Sequence, residues 1–255
     1  MLTMLPSFFG SYHLPMATAH LPYTLKVSSR AKFARLKMTP HAGLVVVVPK
    51  RFDKKEIPAL LLRHEEWIRK AAERLDSARS APLPVKENGL PCTIILRHHS
   101  EEEWVVTYNH KGRKAVDEGS GKRLLVSGDV ADTELCRRQL LFWLKQRAQA
   151  LLVPSLEKLA AEHGFDYAVA GVRLQHSRWG SCSARGKITL NTKLLFLPEH
   201  LVRYIMVHEL CHTVHMNHSK AFWALVRHHD PFCRANNLEM KTAWKYVPDW
   251  VSAQP

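Results

Sequence analysis

The stretch "VHELCHTVHMNHS", from Val207 to Ser219, contains four histidines and one glutamate within thirteen residues. His208 and His212 are four residues apart, so a helix would place both imidazoles on one face, with Cβ atoms about 6 Å apart. Two imidazoles at that spacing can bind one Zn²⁺ with Zn–N distances of about 2.0 Å. Glu209 lies one step round the helix, where its carboxylate can accept a proton without binding the metal. The stretch therefore predicts a zinc site of the His-Glu-x-x-His kind.

A catalytic zinc needs a third protein ligand and one open position. On a straight helix His215 lies about 10 Å beyond the first histidine, too far for both to bind one ion. His218 is better placed if the helix ends near Met216, because Asn217 tolerates the left-handed conformation that ends a helix. We therefore predict His218 as the third ligand, with Glu239 from a later helix as the less favoured alternative. His215 is then a neighbour of the site or a surface residue.

Two other readings of the histidines remain open: a structural zinc site, or helix histidines that bind no metal. A structural site is usually closed by four ligands and often rich in thiolates, whereas this chain has five cysteines and no Cys-x-x-Cys pair. Three histidines and a glutamate fit an open site better. Manganese, cobalt and nickel remain alternative metals, although imidazole ligands at this spacing favour zinc.

The segments around the quoted stretch predict helices and short strands. Pro198 suits the first turn of the helix that carries the histidines. A long helix is predicted from Asp132 or Thr133 to His163-Gly164, where glycine suits the C-terminal cap. Two strands are predicted at 172–176 and 187–191, joined by "SRWGSCSARG".

The N-terminal half has strand character followed by one helical segment. The segment 21–52 contains a valine run that predicts a buried strand, and apolar residues recur at helical spacing from Asp53 to Leu75. The segment 77–91 has the Ser, Pro and Gly content of a linker. Further short strands are predicted at 93–96, 104–108 and 123–127.

Composition indicates an ordinary globular protein that acts in the cytoplasm, without a membrane span. The hydrophobic fraction is 46% and the charged fraction 24%, and no apolar run approaches the about 20 residues of a spanning helix. Residues 1–20 are predicted to be a flexible extension, with a start at Met16 as an alternative. The odd number of cysteines favours reduced thiols, and no feature predicts an obligate oligomer, so we expect a monomer.

The chain is strongly basic, with a formal net charge of +14. Between Lys26 and Lys55 there are nine Lys or Arg residues and one acid, Asp53. Such an excess attracts nucleic acids, nucleotides or acidic protein surfaces. A solvated basic surface without a specific partner explains the same composition.

Four segments together resemble the YgjP-like zinc metallopeptidase family, which is related to the WLM and SprT-like peptidases. They are "PYTLKVSSRAKFARLKMTPHAGLVVVVPKRF", "SRWGSCS", "KITLN" and "VHELCHTVHMNHSKAFW", and the resemblance covers about residues 21–250. It implies that His208, His212 and His218 are metal ligands and that Glu209 is the general base.

The resemblance also implies an α+β fold. The expected architecture is a zincin-like catalytic domain at 131–255, with a small antiparallel sheet beside the metal-binding helix, preceded by a β-rich region with one helix at 21–130. Cys211 stands where the family often has a small apolar residue, and we interpret it as a core residue.

"SRWGSCS" has two interpretations. In the first, Arg178 stabilises a developing oxyanion or a phosphate, and Ser181 and Ser183 donate hydrogen bonds to a substrate. In the second, the segment is a tight turn in which Trp179 fills the core and Gly180 supplies an unusual backbone angle. The sequence does not decide between them.

Three functions follow from these observations. The first is a zinc peptidase, in which Glu209 takes a proton from water and passes it to the leaving amine. The second is a zinc-dependent hydrolase of nucleotide phosphoanhydrides, motivated by the charge of the chain and by Arg178, Arg203 and Lys193. The third is a nucleic-acid-associated module that uses the basic segment Lys26 to Lys55, and it is compatible with either enzyme.

Overall fold

The computed structural model describes residues 22–39, 43–77, 89–113 and 115–252. Contacts divide the chain into two compact units, Met1–Asp76 and Ser77–Pro255. The predicted extension at 1–20 lies outside the described residues, as does most of the predicted linker. Along the described parts of the chain, no helix combines the length and apolar character needed to cross a membrane.

The first unit is a three-stranded sheet followed by two helices. Strands β1 (Tyr23–Ser28), β2 (Arg35–Thr39) and β3 (Gly43–Pro49) are ordered β1-β3-β2, and β3 pairs parallel with β1 and antiparallel with β2. Helices α1 (Ile57–Arg63) and α2 (Glu65–Ser77) follow. The predicted single helix is thus two helices. Apolar residues of the valine strand and the two helices form one core: Leu44, Val46, Val48, Ile57, Leu61 and Ile68.

The second unit begins with a four-stranded sheet of order β4-β5-β7-β6, in which β5 and β7 are parallel and the other pairs antiparallel. Strand β6 was not predicted, because its sequence "AVDEG" is polar and lacks alternation. The strands are β4 (Thr93–Leu96), β5 (Glu102–Asn109), β6 (Ala115–Gly119) and β7 (Arg123–Ser127).

Helix α3 (Thr133–His163) follows this sheet. Asp132 caps its start by accepting a hydrogen bond from the Leu135 amide at 2.9 Å, and Gly164 ends it with a φ of 69°. The helix runs through Pro154 without a break. Apolar residues of the sheet and of α3 belong to one core. The predicted boundary at residue 130 therefore does not coincide with the division of the structure at Asp76.

A second small sheet lies beside the helix that carries the quoted stretch. Strands β8 (Val169–Arg173), β9 (Gly180–Cys182) and β10 (Lys187–Asn191) are ordered β8-β10-β9. Strand β10 is parallel to β8 and antiparallel to β9, so the sheet is mixed. The prediction of an antiparallel sheet is therefore wrong. The chain remains an α+β fold of small sheets and several helices.

The remaining helices complete the second unit. Helix α4 (Glu199–Cys211) packs against β9, β10 and two of the later helices. Those later helices are α5 (Lys220–His229) and α6 (Cys233–Glu239), and α7 (Asp249–Ser252) ends the described chain.

Candidate metal centre

Helix α4 is held in place by an almost continuous apolar surface. Nine of its residues are buried, among them Glu209. Pro198 is the N-cap, directly before the first turn for which it was predicted. The helix ends at Cys211 with His212 at the C-cap, about one turn earlier than predicted. Asn217 is not left-handed, since the only non-glycine residues with positive φ in the described ranges are His99 and Lys122. The chain bends at Asn217, but the left-handed conformation predicted for this residue is wrong.

The chain nevertheless returns to the helix and brings three histidines together. One ring nitrogen from each of His208, His212 and His218 lies within 4.8 Å of the others. The Nε2 atoms of His208 and His218 are 3.1 Å apart, close to the about 3.3 Å that separates two ligands of a tetrahedral zinc at about 2.05 Å. The donor set therefore fits a zinc ion.

The start of α5 fixes the position of His218. Ser219, the next residue, is the N-cap of α5 and accepts a hydrogen bond from the Phe222 amide at 3.3 Å. The Phe222 ring is fully buried and stacks on His212 with a centroid distance of 4.5 Å. The Phe222 ring also contacts His218, with a centroid distance of 4.9 Å. His218 is therefore positioned by the N-cap and the first turn of the helix that follows it.

Hydrogen bonding and burial prepare the imidazoles to bind a cation. Nδ1 of His212 is 3.0 Å from the His215 carbonyl oxygen, so this nitrogen is the donor and Nε2 keeps its lone pair. His215 thus contributes its backbone carbonyl to the site. Burial, with the neighbouring histidines, lowers the pKa of His208 to about 3, and burial lowers the pKa of His212. Neutral imidazole is the form that binds metals.

Glu239, the alternative ligand, is engaged elsewhere. Its two carboxylate oxygens accept hydrogen bonds from Tyr246 at 3.1 Å and from His200 at 2.9 Å. It does not belong to the histidine group. Among the two candidates, only His218 lies with His208 and His212.

Glu209 is the buried acid of the site. It is 5% exposed, and its Oε2 atom has no hydrogen-bond partner among the described residues. Burial raises the pKa of Glu209 to about 7, against the charge of Arg178, which lowers it. Removing a carboxylate from water favours its protonated form, so Glu209 is a stronger base than a surface carboxylate.

Gly180 allows this carboxylate to lie where it does. A Cβ atom at Gly180 would be 2.6 Å from Oε1 of Glu209 and 2.7 Å from its Cγ. Gly180 is not among the glycines with positive φ, so the predicted unusual backbone angle is wrong. The residue serves instead as a close approach of β9 to α4, a tertiary contact that the sequence does not reveal.

We expect Gly180→Ala to displace the carboxylate of Glu209 and to reduce turnover about a hundredfold, because small misplacements of a catalytic group cost this much. The zinc content should not change, since the three histidines lie on other elements. Steady-state kinetics and metal analysis of the same preparation check this. Gly171→Ala is the matched control, because nothing lies within 4 Å of a Cβ at Gly171, and equal losses in both variants would contradict the explanation.

The rest of "SRWGSCS" has elements of both interpretations. Arg178 is exposed, and its charge acts on Glu209. Trp179 packs on Trp244 with a centroid distance of 4.1 Å, as expected of a core residue. Ser183 accepts a hydrogen bond from the Lys187 amide at 3.1 Å, so its hydroxyl supports the turn between β9 and β10. Ser181 lies in β9, opposite Thr189.

The other two cations predicted near the site are engaged in the fold. Lys193 is 1% exposed, its ammonium lies 5.1 Å from the centre of the Trp244 ring, and burial lowers its pKa to about 8. Arg203 lies 3.1 Å from His163 and 3.4 Å from the His229 carbonyl oxygen. Of the three cations, only Arg178 is shown to act on Glu209.

Two further residues are buried. Cys211 is fully buried in the core, as predicted. His98 is 5% exposed, and its Nε2 atom lies 3.2 Å from the Ser155 hydroxyl. It therefore belongs to local structure away from the histidine group.

Comparison with known protein families agrees with this geometry. The family described as YgjP-like, metallopeptidase domain, matches residues 32–243. The chain therefore belongs to the YgjP-like metallopeptidase family. No curated protein and no solved structure matches the chain.

Proposed function

We propose that this protein is a zinc-dependent peptidase whose metal is held by His208, His212 and His218. The observation that carries the proposal is the convergence of three imidazole nitrogens within 4.8 Å beside the buried acid Glu209. Three protein ligands leave a fourth zinc position for water or substrate. A structural site would be expected to close that position.

In the proposed peptide hydrolysis, the three histidines, Glu209 and Arg178 have different roles. A zinc ion bound by the three histidines would act as a Lewis acid and would lower the pKa of the attacking water. Glu209 accepts a proton from the attacking water through its unpartnered oxygen and then donates it to the amine of the leaving peptide. Arg178, whose charge already acts on Glu209, favours the ionised form of this base. We also propose that its exposed guanidinium stabilises negative charge on a substrate.

The edge strand β9 supports a peptide as the substrate. Among the residues that the structure describes, β9 pairs with β10 alone and lies at the end of its sheet. An extended peptide can pair with such an edge through backbone hydrogen bonds. Since Gly180 of β9 is the residue next to Glu209, a peptide on this edge would pass the base.

The nucleotide alternative has less support. It relied on Arg178, Arg203 and Lys193 as phosphate-binding cations. Lys193 is buried beneath Trp244, and Arg203 contacts His163 and the His229 carbonyl. Of the three cations, Arg178 alone would therefore be available to bind a phosphoanhydride substrate.

The test assays a denatured protein and a panel of nucleoside triphosphates with the same zinc-loaded preparation. We expect new α-amino termini from the protein substrate, loss of cleavage when a chelator removes the metal, and recovery when zinc is restored. Release of phosphate or diphosphate without peptide products would instead select the nucleotide reaction. Stoichiometric zinc with neither product would indicate a structural site.

A further inference from the structure

The sheet of the first unit has one face that does not contribute to its apolar core. Val46 of β3 packs in that core, whereas its neighbour Val47, which is 7% exposed, is buried on the opposite face and is not part of that cluster. Val47 pairs with Lys26 on one side and Arg35 on the other, so all three side chains share a face. Lys37 lies two residues beyond Arg35 and returns to that face. We call Lys26, Arg35 and Lys37 the cationic sheet face.

The cationic sheet face is exposed and has no acidic residue near it in sequence. Its three side chains are all exposed. Strand spacing puts Lys26 and Arg35 about 10 Å apart, and the rise of a strand puts Arg35 and Lys37 about 7 Å apart. The segment 23–51 contains seven Lys or Arg residues and no Asp or Glu. The face is therefore an array of positive charges on a sheet, which suits a regularly charged polyanion.

The loop that joins β1 to β2 carries an exposed aromatic side chain between basic residues. Arg30 and Lys32 are exposed in the loop, and Phe33 is 78% exposed. The next residue, Ala34, packs on the core and anchors the loop. An exposed aromatic ring among cations is the arrangement on which unpaired bases stack, and a base within a duplex does not offer its face.

We propose that the first unit binds single-stranded nucleic acid. The cationic sheet face contacts successive phosphates, and Phe33 stacks on an unpaired base. This inference does not depend on the metal centre, so it stands or fails separately from the proposed peptidase activity.

The test measures binding of a fluorescently labelled oligothymidine to the full chain by anisotropy over a series of NaCl concentrations. Each phosphate contact on a single strand contributes about 0.7 to the slope of log affinity against log salt. The triple variant Lys26→Gln, Arg35→Gln, Lys37→Gln should therefore reduce that slope by about 2. Phe33→Ala should weaken binding about fivefold or more without changing the slope.

The matched control neutralises three exposed cations of the second unit, Lys111, Arg138 and Lys145, and changes the net charge equally. We expect it to bind like the wild type. Equal weakening in the control would mean that overall charge alone attracts the oligonucleotide, and the proposal would be wrong. It would also be overturned by a duplex binding as tightly as the single strand, or by poly-glutamate competing equally well. Unchanged melting temperatures show that the variants fold, as expected for side chains outside the core.

Discussion

Glu209→Gln should retain one zinc per chain and lose turnover by a factor of about 10² to 10⁴, the usual contribution of a general base. The amide of glutamine has nearly the shape of the carboxylate but does not accept a proton from water. Gly180 lies so close that a Cβ atom added to it would be 2.6 Å from Oε1 of Glu209. A substitute for Glu209 must therefore have the same shape. Glutamine preserves that shape, so the loss should appear in kcat rather than in folding or metal content.

The pH profile of the wild type gives an independent check. The proposed mechanism requires the ionised form of Glu209, so activity should fall as the pH falls through the pKa of this group. Burial raises that pKa to about 7, and a zinc ion bound nearby would lower it, since an adjacent cation favours the carboxylate. The acid limb of the profile should therefore lie at or below pH 7.

Glu199→Gln is the matched control for this substitution. Glu199 begins the same helix and is exposed, so its loss should leave kcat within about twofold of the wild type. If Glu209→Gln turns over as fast as this control, Glu209 is not the base and the proposed mechanism fails.

The sequence was sufficient to predict the histidine group, because its members are close along the chain. The four-residue spacing of His208 and His212 is a property of any helix, and His218 follows within one short turn. The structure brings these three together as expected, although the reason given for His218 was wrong. The helix ends at Cys211, and capping of α5 by Ser219 positions the third histidine.

Contacts between distant segments could not be read from the pattern. Gly180 and Glu209 are far apart in sequence, and their contact depends on how β9 packs against α4. Local propensity carries no information on such packing. Similarly, apolar residues at helical spacing predicted one helical segment from Asp53 to Leu75. The chain leaves helical geometry at His64, with φ −111° and ψ 17°, and α1 ends there.

The division into units was also not visible in composition. The expected architecture had one β-rich region from 21 to 130. The strands after residue 92, however, carry apolar residues such as Ile94 and Leu124, which are fully buried in the core that also contains Leu140 of α3. Shared burial, rather than similar composition, determines which elements form one unit.

His218→Ala should weaken zinc binding more than a hundredfold, so that the protein retains little metal after dialysis. The variant keeps two imidazoles, and a site with two protein ligands does not meet the three that a catalytic zinc requires. Loss of a group that merely orients a ligand costs about 10- to 100-fold in affinity, and loss of a ligand itself should cost more. Metal analysis after dialysis, and competition with a chromogenic chelator, measure the change.

His215→Ala is the matched control, because it removes an imidazole from the same short turn but keeps the backbone carbonyl that accepts the hydrogen bond from His212 at 3.0 Å. We expect it to bind zinc like the wild type. The pair of variants thus separates the ligand from its neighbour in a segment where four histidines lie within eleven residues. Should His215→Ala lose zinc while His218→Ala keeps it, the third ligand is misassigned. If both variants retain zinc, the metal is held by two histidines and another donor. The proposed open site with three histidine ligands would then be wrong.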